Sequence, residues 1–195
     1  MPDNPGELFQ GQYRVDSTRL RSWDYAATGW YFITVCTANR HCSFGEVLNH
    51  EVRLSGIGEV AHQCWTEIPD HFHRVQLDMF VVMPNHVHGI VVLNLPDDVE
   101  TRYTASLQEG KPNTFGPLTP GSLQAVINTY KGAVTRWCGK NSYHGFHWQD
   151  RFHDHIIRGE RTLNAIRQYI ANNPLKWEFD RYNPQNPRAC RGRIA

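Results

Sequence analysis

The sequence lacks a hydrophobic run long enough to form a membrane-spanning helix. Such a helix needs about 18 or more consecutive apolar residues, and none of the 195 residues belongs to a run of that length. The N-terminal stretch MPDNPGELFQGQYR also lacks the apolar centre of a signal peptide. We therefore expect a cytoplasmic protein with no membrane partner.

Cysteine and net charge are also scarce. The five cysteines are scattered and never form a C-x-x-C pair, which argues against a disulfide framework and against a zinc knuckle. The 20 Lys and Arg residues nearly balance 19 Asp and Glu residues, for a formal charge of +1. A polyanionic partner would therefore have to be held by local basic patches. Two candidates are residues 14–21 and residues 188–193, although solvated termini are the simpler interpretation of both.

The composition is otherwise that of an ordinary globular protein. Hydrophobic residues make up 40% and charged residues 20% of the sequence, which excludes disordered and fibrous classes. A length of 195 residues suits one domain, since a single core commonly supports about 100–200 residues. We predict a single domain over residues 1–195, with its core at about 14–177 and a flexible, turn-rich tail at 178–195.

Hydrophobic periodicity predicts four strands and three helices. Clusters of β-branched and aromatic residues indicate strands at 30–37, 76–84, 86–94 and 152–159. Apolar spacings of three and four indicate helices at 54–68, closed by Pro69, at 121–140, with Ser122 as N-cap, and from near Thr162 to Pro174. Proline and glycine between 95 and 120 indicate a long loop.

The order of these elements predicts a ferredoxin-like α+β sandwich. Strand, helix, two strands, helix and strand form one mostly antiparallel sheet with helices on one face. The third helix follows this core as a C-terminal addition.

Two histidines lie one residue apart in a very apolar stretch, VVMPNHVHGIVVLN. Because side chains alternate along a strand, His86 and His88 point to one face and Val87 points to the other. Two imidazoles can bind one metal ion, but a mononuclear site normally needs at least a third protein ligand. The pair alone is therefore compatible with a metal site and with a partly exposed sheet face.

Two further pairs with the same spacing show that spacing cannot decide. HFH, at 71–73, falls between a helix-ending proline and a strand, so we predict a surface loop there. HDH, at 153–155, begins a strand, and His155 could lie near the site without being a ligand.

The third helix carries a tyrosine and an asparagine one turn apart. Its buried stripe consists of Leu163, Ile166 and Ile170. At 100° per residue, Tyr169 and Asn173 emerge within about 40° of each other at the border of that stripe. A phenol can attack phosphorus, and an amide oxygen can supply a missing metal ligand. The alternative that Tyr169 is a core-edge residue stays open, and Pro174 disfavours the helical conformation at Asn173.

Five stretches together resemble the single-tyrosine HUH transposases, specifically the REP-associated, insertion-sequence-200-like group. They are TRLRSWDYAATGWYFITVCTANR, FVVMPNHVHGIVV, YKGAVTR, WQDRFHDHIIR and IRQYIANNPLKW. The resemblance runs in order from about Arg14 to Trp177.

This resemblance implies a metal-dependent single-stranded DNA endonuclease and strand-transferase. Members cleave beside a DNA hairpin and leave a 5′-phosphotyrosine link and a free 3′-hydroxyl. The resemblance maps the metal ligands onto His86, His88 and Asn173, and the nucleophile onto Tyr169. Ligand softness alone favours zinc or manganese over magnesium, whereas the resemblance implies Mg²⁺ or Mn²⁺.

The implied partner is single-stranded DNA with a hairpin from a repetitive palindromic element, bound near the bacterial nucleoid by a monomer or homodimer. The candidate phosphate contacts are Arg14, Arg19, Arg21, Lys131, Arg136, Arg151 and Arg158, with Trp23 and Trp148 as candidate stacking surfaces. Three alternatives remain. One is a catalytically inactive hairpin-binding module, another is a relaxase or replication initiator, which is usually a longer chain, and the last is a structural metalloprotein.

Overall fold

The computed structural model describes residues 23–94 and 119–186. Its strands are β1 (Gly29–Cys36), β2 (Gly45–Leu48), β3 (Glu51–Leu54), β4 (Val75–Met83), β5 (His86–Leu93) and β6 (His153–Ile157). Its α-helices are α1 (Gly56–Thr66), α2 (Ile68–His71), α3 (Leu123–Lys140) and α4 (Glu160–Ala171). Short 3₁₀ helices span Ala38–Arg40 and Pro174–Phe179.

Four strands form one sheet in the order β4-β5-β1-β6, and every neighbouring pair is antiparallel. This is the ferredoxin-like arrangement, so the predicted fold class is confirmed. A separate hairpin, β2–β3, was not predicted. Its strands are only four residues long, and its turn uses Asn49 and His50 at positive φ instead of the Asn-Gly pair that marks such turns in a sequence.

One face of the sheet, which we name the core face, packs against α1 and α3. Val87 and Val91 of β5 belong to the same buried cluster as Trp65 of α1 and Tyr130 of α3. Gly89 makes room for this packing, because a Cβ atom there would lie 2.3 Å from the Trp65 ring. Side chains alternate between the two faces of each strand, and the apolar side chains on this face therefore form the main core.

The opposite face, which we name the histidine face, carries His86 and His88 and is partly covered by α4. Ile170 of α4 packs there in a second buried cluster with Ile90 and Val92. Helix α4 is thus the predicted addition to the core, and it lies on the same side of the sheet as the histidines.

A bidentate ion pair ties α4 to the edge strand β4. Arg167 donates to both carboxylate oxygens of Asp78, at 2.9 Å from Nε and 2.6 Å from Nη2. Asp78 lies in a β-bulge, between Leu77 and Phe80 in the β4–β5 register. The bulge and the ion pair together fix where α4 crosses the sheet.

The predicted helix ends need correction at proline and at the start of α4. Helix α1 stops at Thr66, and Pro69 lies inside the first turn of α2 instead of closing α1. Proline fits there because a first helical turn needs no N–H partner. Helix α4 starts at Glu160, two residues before the predicted start. The Ser122 cap is confirmed, since its Oγ accepts a 3.3 Å hydrogen bond from the amide of Ala125.

Within the described ranges, no helix combines the length and the apolar character that crossing a membrane requires. Most of the predicted long loop, residues 95–118, lies outside the described ranges, as do residues 187–195 of the predicted tail.

Candidate active site

The two histidines of β5 lie side by side beneath α4. His86 is fully buried and His88 is 2% exposed, while Val87 between them belongs to the core face. Their ring centroids are 4.4 Å apart. The prediction that alternation directs both imidazoles to one face is confirmed.

A different polar group holds the Nδ1 atom of each imidazole. Asn85 Oδ1 lies 2.9 Å from His86 Nδ1, and Thr34 Oγ1 lies 2.9 Å from His88 Nδ1. The amide of Asn85 is oriented by its own donations to the carbonyls of Arg40, at 3.0 Å, and Tyr182, at 2.7 Å. Because a carbonyl oxygen can only accept, His86 Nδ1 carries the proton and His86 Nε2 keeps its lone pair. The Nε2 atoms are thus the ones directed at the site.

Tyr169 of α4 contacts this pair directly. Its hydroxyl lies 3.1 Å from His88 Nε2, and its ring packs edge-on against Phe32 at a centroid distance of 6.0 Å. The residue is 44% exposed, so part of it is accessible from solvent. Partial burial raises the pKa of Tyr169, and the neighbouring Asn173 opposes that rise.

Asn173 completes the group, although it lies beyond the end of α4. It takes the helical conformation (φ −60°, ψ −45°) even though Pro174 follows, an arrangement that is normally disfavoured. The side chain is 2% exposed, and its Oδ1 has no hydrogen-bond partner. Its amide affects the pKa of both His86 and Tyr169, so it lies near both groups.

Burial keeps both imidazoles neutral. It places the pKa of His86 well below its usual value, and the nearby His88 lowers it further. Burial, with the charge of Arg181, lowers the pKa of His88 to about 3. Neutral imidazole is the form that binds metal ions, so neither ring needs to lose a proton before it can act as a ligand.

The donor set fits a divalent metal ion. His86 Nε2 and Asn173 Oδ1 are buried atoms with lone pairs and no hydrogen-bond partner, and such atoms are costly unless a ligand satisfies them. With His88 Nε2 they give two nitrogen ligands and one oxygen ligand, which leaves coordination positions for a substrate. The described ranges contain no group of three or more His, Cys, Asp or Glu side chains that could hold a metal ion, so a metal site here depends on Asn173 as its third ligand.

Sequence reasoning missed the contribution of residues 180–186. Tyr182 is 6% exposed, and its ring lies 4.8 Å from that of His86, with the Arg40 guanidinium above it. Asn183 and Asn186 are also buried. Asn186 donates to the carbonyl of Asp180 in the same segment, and Asn183 donates to the carbonyl of Trp177, just before it. The prediction of a flexible tail is therefore wrong for this part of the range. The segment is rich in turn residues and has no apolar periodicity, so its sequence pattern does not predict that it is packed.

The candidate DNA-binding residues fall into three groups. Arg14, Arg19 and Arg21 lie outside the described residues. Arg136, Arg151 and Arg158 are exposed. Lys131 instead donates from Nζ to the carbonyls of Gln149, at 2.8 Å, and Arg151, at 3.2 Å. Its ammonium group therefore holds the chain segment before β6 in place.

The two candidate stacking tryptophans are both partly buried. Trp148 packs against Phe44 and Phe146 of the core cluster and donates to the Lys131 carbonyl. Trp23 donates to the Tyr31 hydroxyl at 3.1 Å, and the Arg158 guanidinium lies over its ring. Trp148 is therefore mainly a packing residue.

Comparison with known proteins adds one sequence relative and one solved structure. No family model matches the sequence. A protein of Haemophilus influenzae, described only as uncharacterized, is 38% identical over 178 residues, which cover 87% of this chain and 93% of the relative. The structure of a REP-associated tyrosine transposase bound to a REP hairpin matches with a TM-score of 0.52 at 19% identity, covering 85% of this chain and 74% of that chain. The chain therefore belongs to the same family as the Haemophilus influenzae protein and has the fold of the REP-associated tyrosine transposase, a member of the group that the sequence resembles.

Proposed function

We propose that the protein is a metal-dependent transposase that cleaves single-stranded DNA beside hairpins through a covalent 5′-phosphotyrosine at Tyr169. One observation carries this proposal. A half-exposed phenol lies 3.1 Å from a buried imidazole, next to two buried lone-pair atoms that have no hydrogen-bond partner. A solved structure with the same fold is a REP-associated tyrosine transposase bound to a REP hairpin, which supports the same class of substrate.

His86, His88 and Asn173 are the residues that would hold the metal ion. When bound, a divalent cation such as Mg²⁺ or Mn²⁺ would withdraw charge from a non-bridging phosphate oxygen and orient the phosphorus. The imidazoles contribute by staying neutral at physiological pH because they are buried. Asn173 contributes an uncharged oxygen, which repels an incoming phosphate less than a carboxylate ligand would.

Tyr169 performs the bond exchange in this proposal. Its oxygen attacks the phosphorus, an O–P bond to tyrosine forms, and the bond between phosphorus and the 3′-oxygen breaks. The departing 3′-oxygen takes up a proton and becomes the free 3′-hydroxyl, while the phenolic proton leaves to solvent. With the metal ion bound, the lone pair of His88 Nε2 would be used by the ion, and burial lowers the pKa of His88 to about 3. His88 is therefore not the acceptor of that proton, and its 3.1 Å contact places the phenol beside the metal ligands.

A covalent-adduct assay tests the proposal. We would incubate the protein with Mn²⁺ and a pool of fluorescein-labelled single strands, each with a hairpin and randomised flanks, and look for a denaturation-resistant protein–DNA adduct. Tyr169→Phe should abolish the adduct because it removes the attacking oxygen. Tyr143→Phe is the matched control, since Tyr143 is likewise 44% exposed but stacks on Trp137 of α3 instead.

Three outcomes of this assay separate the alternatives. Loss of the adduct in Tyr169→Phe alone supports the proposal. Hairpin binding without any adduct would instead indicate a binding module that does not cleave. An adduct that survives Tyr169→Phe would show that another residue is the nucleophile.

A further inference from the structure

A second histidine pair lies on the histidine face, on the edge strand β6. In the register of the sheet, Thr34 of β1 pairs with His88 on one side and with His153 on the other. Phe32 of β1 pairs in the same way with His155. Because directly paired residues of antiparallel strands share a face, both imidazoles of β6 point to the side of the sheet that carries the candidate active site.

This part of the histidine face is open. His153 and His155 are exposed, and Trp30, two residues before Phe32 on the same side of β1, is 36% exposed. The cluster that α4 covers includes Ile90, Val92 and Ile157, but neither histidine of β6. The two histidines therefore lie beside α4, on a part of the sheet that α4 does not cover.

The open area adjoins Tyr169. The Tyr169 ring contacts Phe32 at 6.0 Å, and Phe32 is the direct neighbour of His155 across the sheet. Tyr169 is itself 44% exposed. A molecule that contacts the exposed part of Tyr169 therefore lies close to the exposed histidines of β6.

One arginine lies close to the two histidines in the chain. Arg151 is exposed, two residues before His153, and the exposed Asp150 precedes it. Asp154 pairs with Ile33 and so points to the core face. Arg158 lies over the ring of Trp23, which packs against the core cluster, so it is not part of the open area. An arginine followed by two exposed imidazoles suits a phosphate with attached bases.

We propose that these four residues, Trp30, Arg151, His153 and His155, which we name the β6 surface, bind the single-stranded DNA that flanks the scissile phosphate. Bases would stack on the exposed rings, and Arg151 would pair with a phosphate. A single strand fits better than a duplex because its base faces are free to stack. This inference rests on the proposed function only in taking single-stranded DNA as the substrate.

The test compares two histidine pairs with the same spacing. The double variant His153→Ala/His155→Ala alters the β6 surface, and His71→Ala/His73→Ala removes two exposed histidines at the end of α2 and in the turn that follows. Fluorescence anisotropy would measure the affinity of each for a labelled oligothymidylate without added metal, with circular dichroism to compare folding. We expect the first variant to bind about fivefold more weakly or worse, because base stacking on each ring is lost, and the control to bind like the wild type.

Two further variants keep the test decisive if the double variant is poorly folded. Trp30→Leu keeps an apolar side chain but removes a stacking ring, so we expect weaker binding with little change in salt dependence. Arg151→Gln should reduce the slope of log affinity against log salt by about one phosphate contact.

Equal affinity of both histidine variants, or an equal loss in both, would overturn the β6 surface. Failure of this inference is distinguishable from failure of the proposed function, because oligothymidylate binding requires neither Tyr169 nor a metal ion. A Tyr169-dependent adduct, together with unaltered binding by His153→Ala/His155→Ala, would contradict only the role of the β6 surface. Weakened binding by that variant, with no adduct formed by any protein, would contradict only the proposed cleavage.

Discussion

The two faces of the four-stranded sheet carry different kinds of buried side chain, although the same strands form both faces. On the core face, Val87 and Val91 pack against apolar side chains of α1 and α3. On the histidine face, His86 and His88 of the same strand lie beside Tyr169. Because strand alternation separates the two sets, residues for stability and residues for chemistry can be changed almost independently.

Each face also contains buried polar atoms without partners, and their chemistry differs. On the core face they are Trp65 Nε1 and Tyr130 OH, on two rings packed edge to face at 5.0 Å. On the histidine face they are His86 Nε2 and Asn173 Oδ1. The first pair, an indole N–H and a phenol O–H, belong to packing residues. The second pair offer lone pairs next to Tyr169, the proposed nucleophile, and lone pairs are what a cation needs.

The largest expected effect follows from removing a lone pair on the histidine face. Asn173→Ala should slow adduct formation by about a thousandfold, since metal assistance contributes several kcal/mol to phosphoryl transfer. The free energy of unfolding without metal should change by less than about 1 kcal/mol, because Oδ1 makes no hydrogen bond. Adduct kinetics and urea unfolding would measure both. The neighbouring Asn172→Ala is the control, and an equal slowing there would contradict the assignment.

A change on the core face should have the opposite profile. Trp65→Ala should lower the free energy of unfolding by about 3–5 kcal/mol, the usual cost of truncating a large buried aromatic side chain. Trp65 is fully buried and contacts Tyr130 and Phe80. Calorimetric titration with Mn²⁺ should give wild-type affinity for the molecules that remain folded. A large loss of affinity would show that the two faces are not independent.

A smaller effect should come from the hydroxyl that holds His88. Thr34→Val removes the 2.9 Å contact to Nδ1 but keeps the shape of the side chain. We expect Mn²⁺ affinity to fall about tenfold, the usual effect of losing a partner that orients a metal-binding histidine. Thr34→Ser keeps the hydroxyl and should restore the affinity. Similar affinity in all three proteins would mean that packing alone positions His88.

The smallest effect should come from the ion pair between α4 and β4. Arg167 holds the pKa of Asp78 below its ordinary value of 3.8, so the pair stabilises the fold above about that pH and the stabilisation is lost as pH falls through the native value. Asp78→Asn should cost about 1 kcal/mol or less near pH 7, since Arg167 is well exposed. The difference from wild type in urea unfolding should shrink in acid, and a constant difference would argue against the pair.

The sequence predicted the parts of the fold that strong periodicity controls. The four strands of the main sheet, α3 with its Ser122 cap and the shared direction of His86 and His88 all follow from spacing. The β2–β3 hairpin was not predicted because its strands are short and its turn lacks glycine. Local patterns are reliable only where an element is long enough to repeat them.

The site was predictable only in part, because its contacts come from distant segments. Tyr169 and Asn173 could be placed on one helix border from the sequence. Spacing along the sequence does not reveal the register of the sheet, which brings Thr34 to His88. Nor does it reveal the path of the C-terminal chain, which brings the Tyr182 carbonyl to Asn85. Residues 180–186 carry turn residues that suggested a flexible tail. Hydrogen bonds to the carbonyls of Trp177 and Asp180 nevertheless hold the segment in place, and the Tyr182 ring lies against His86.

The most direct test of the central claim is to map the covalent attachment of DNA. Trypsin would release the segment 168–176, QYIANNPLK, which contains Tyr169 as its single tyrosine. After reaction with the hairpin pool and nuclease digestion, mass spectrometry should find a nucleotide attached through a 5′-phosphate to Tyr169 in this peptide. A nucleotide attached to any other residue, with this peptide unmodified, would contradict the account.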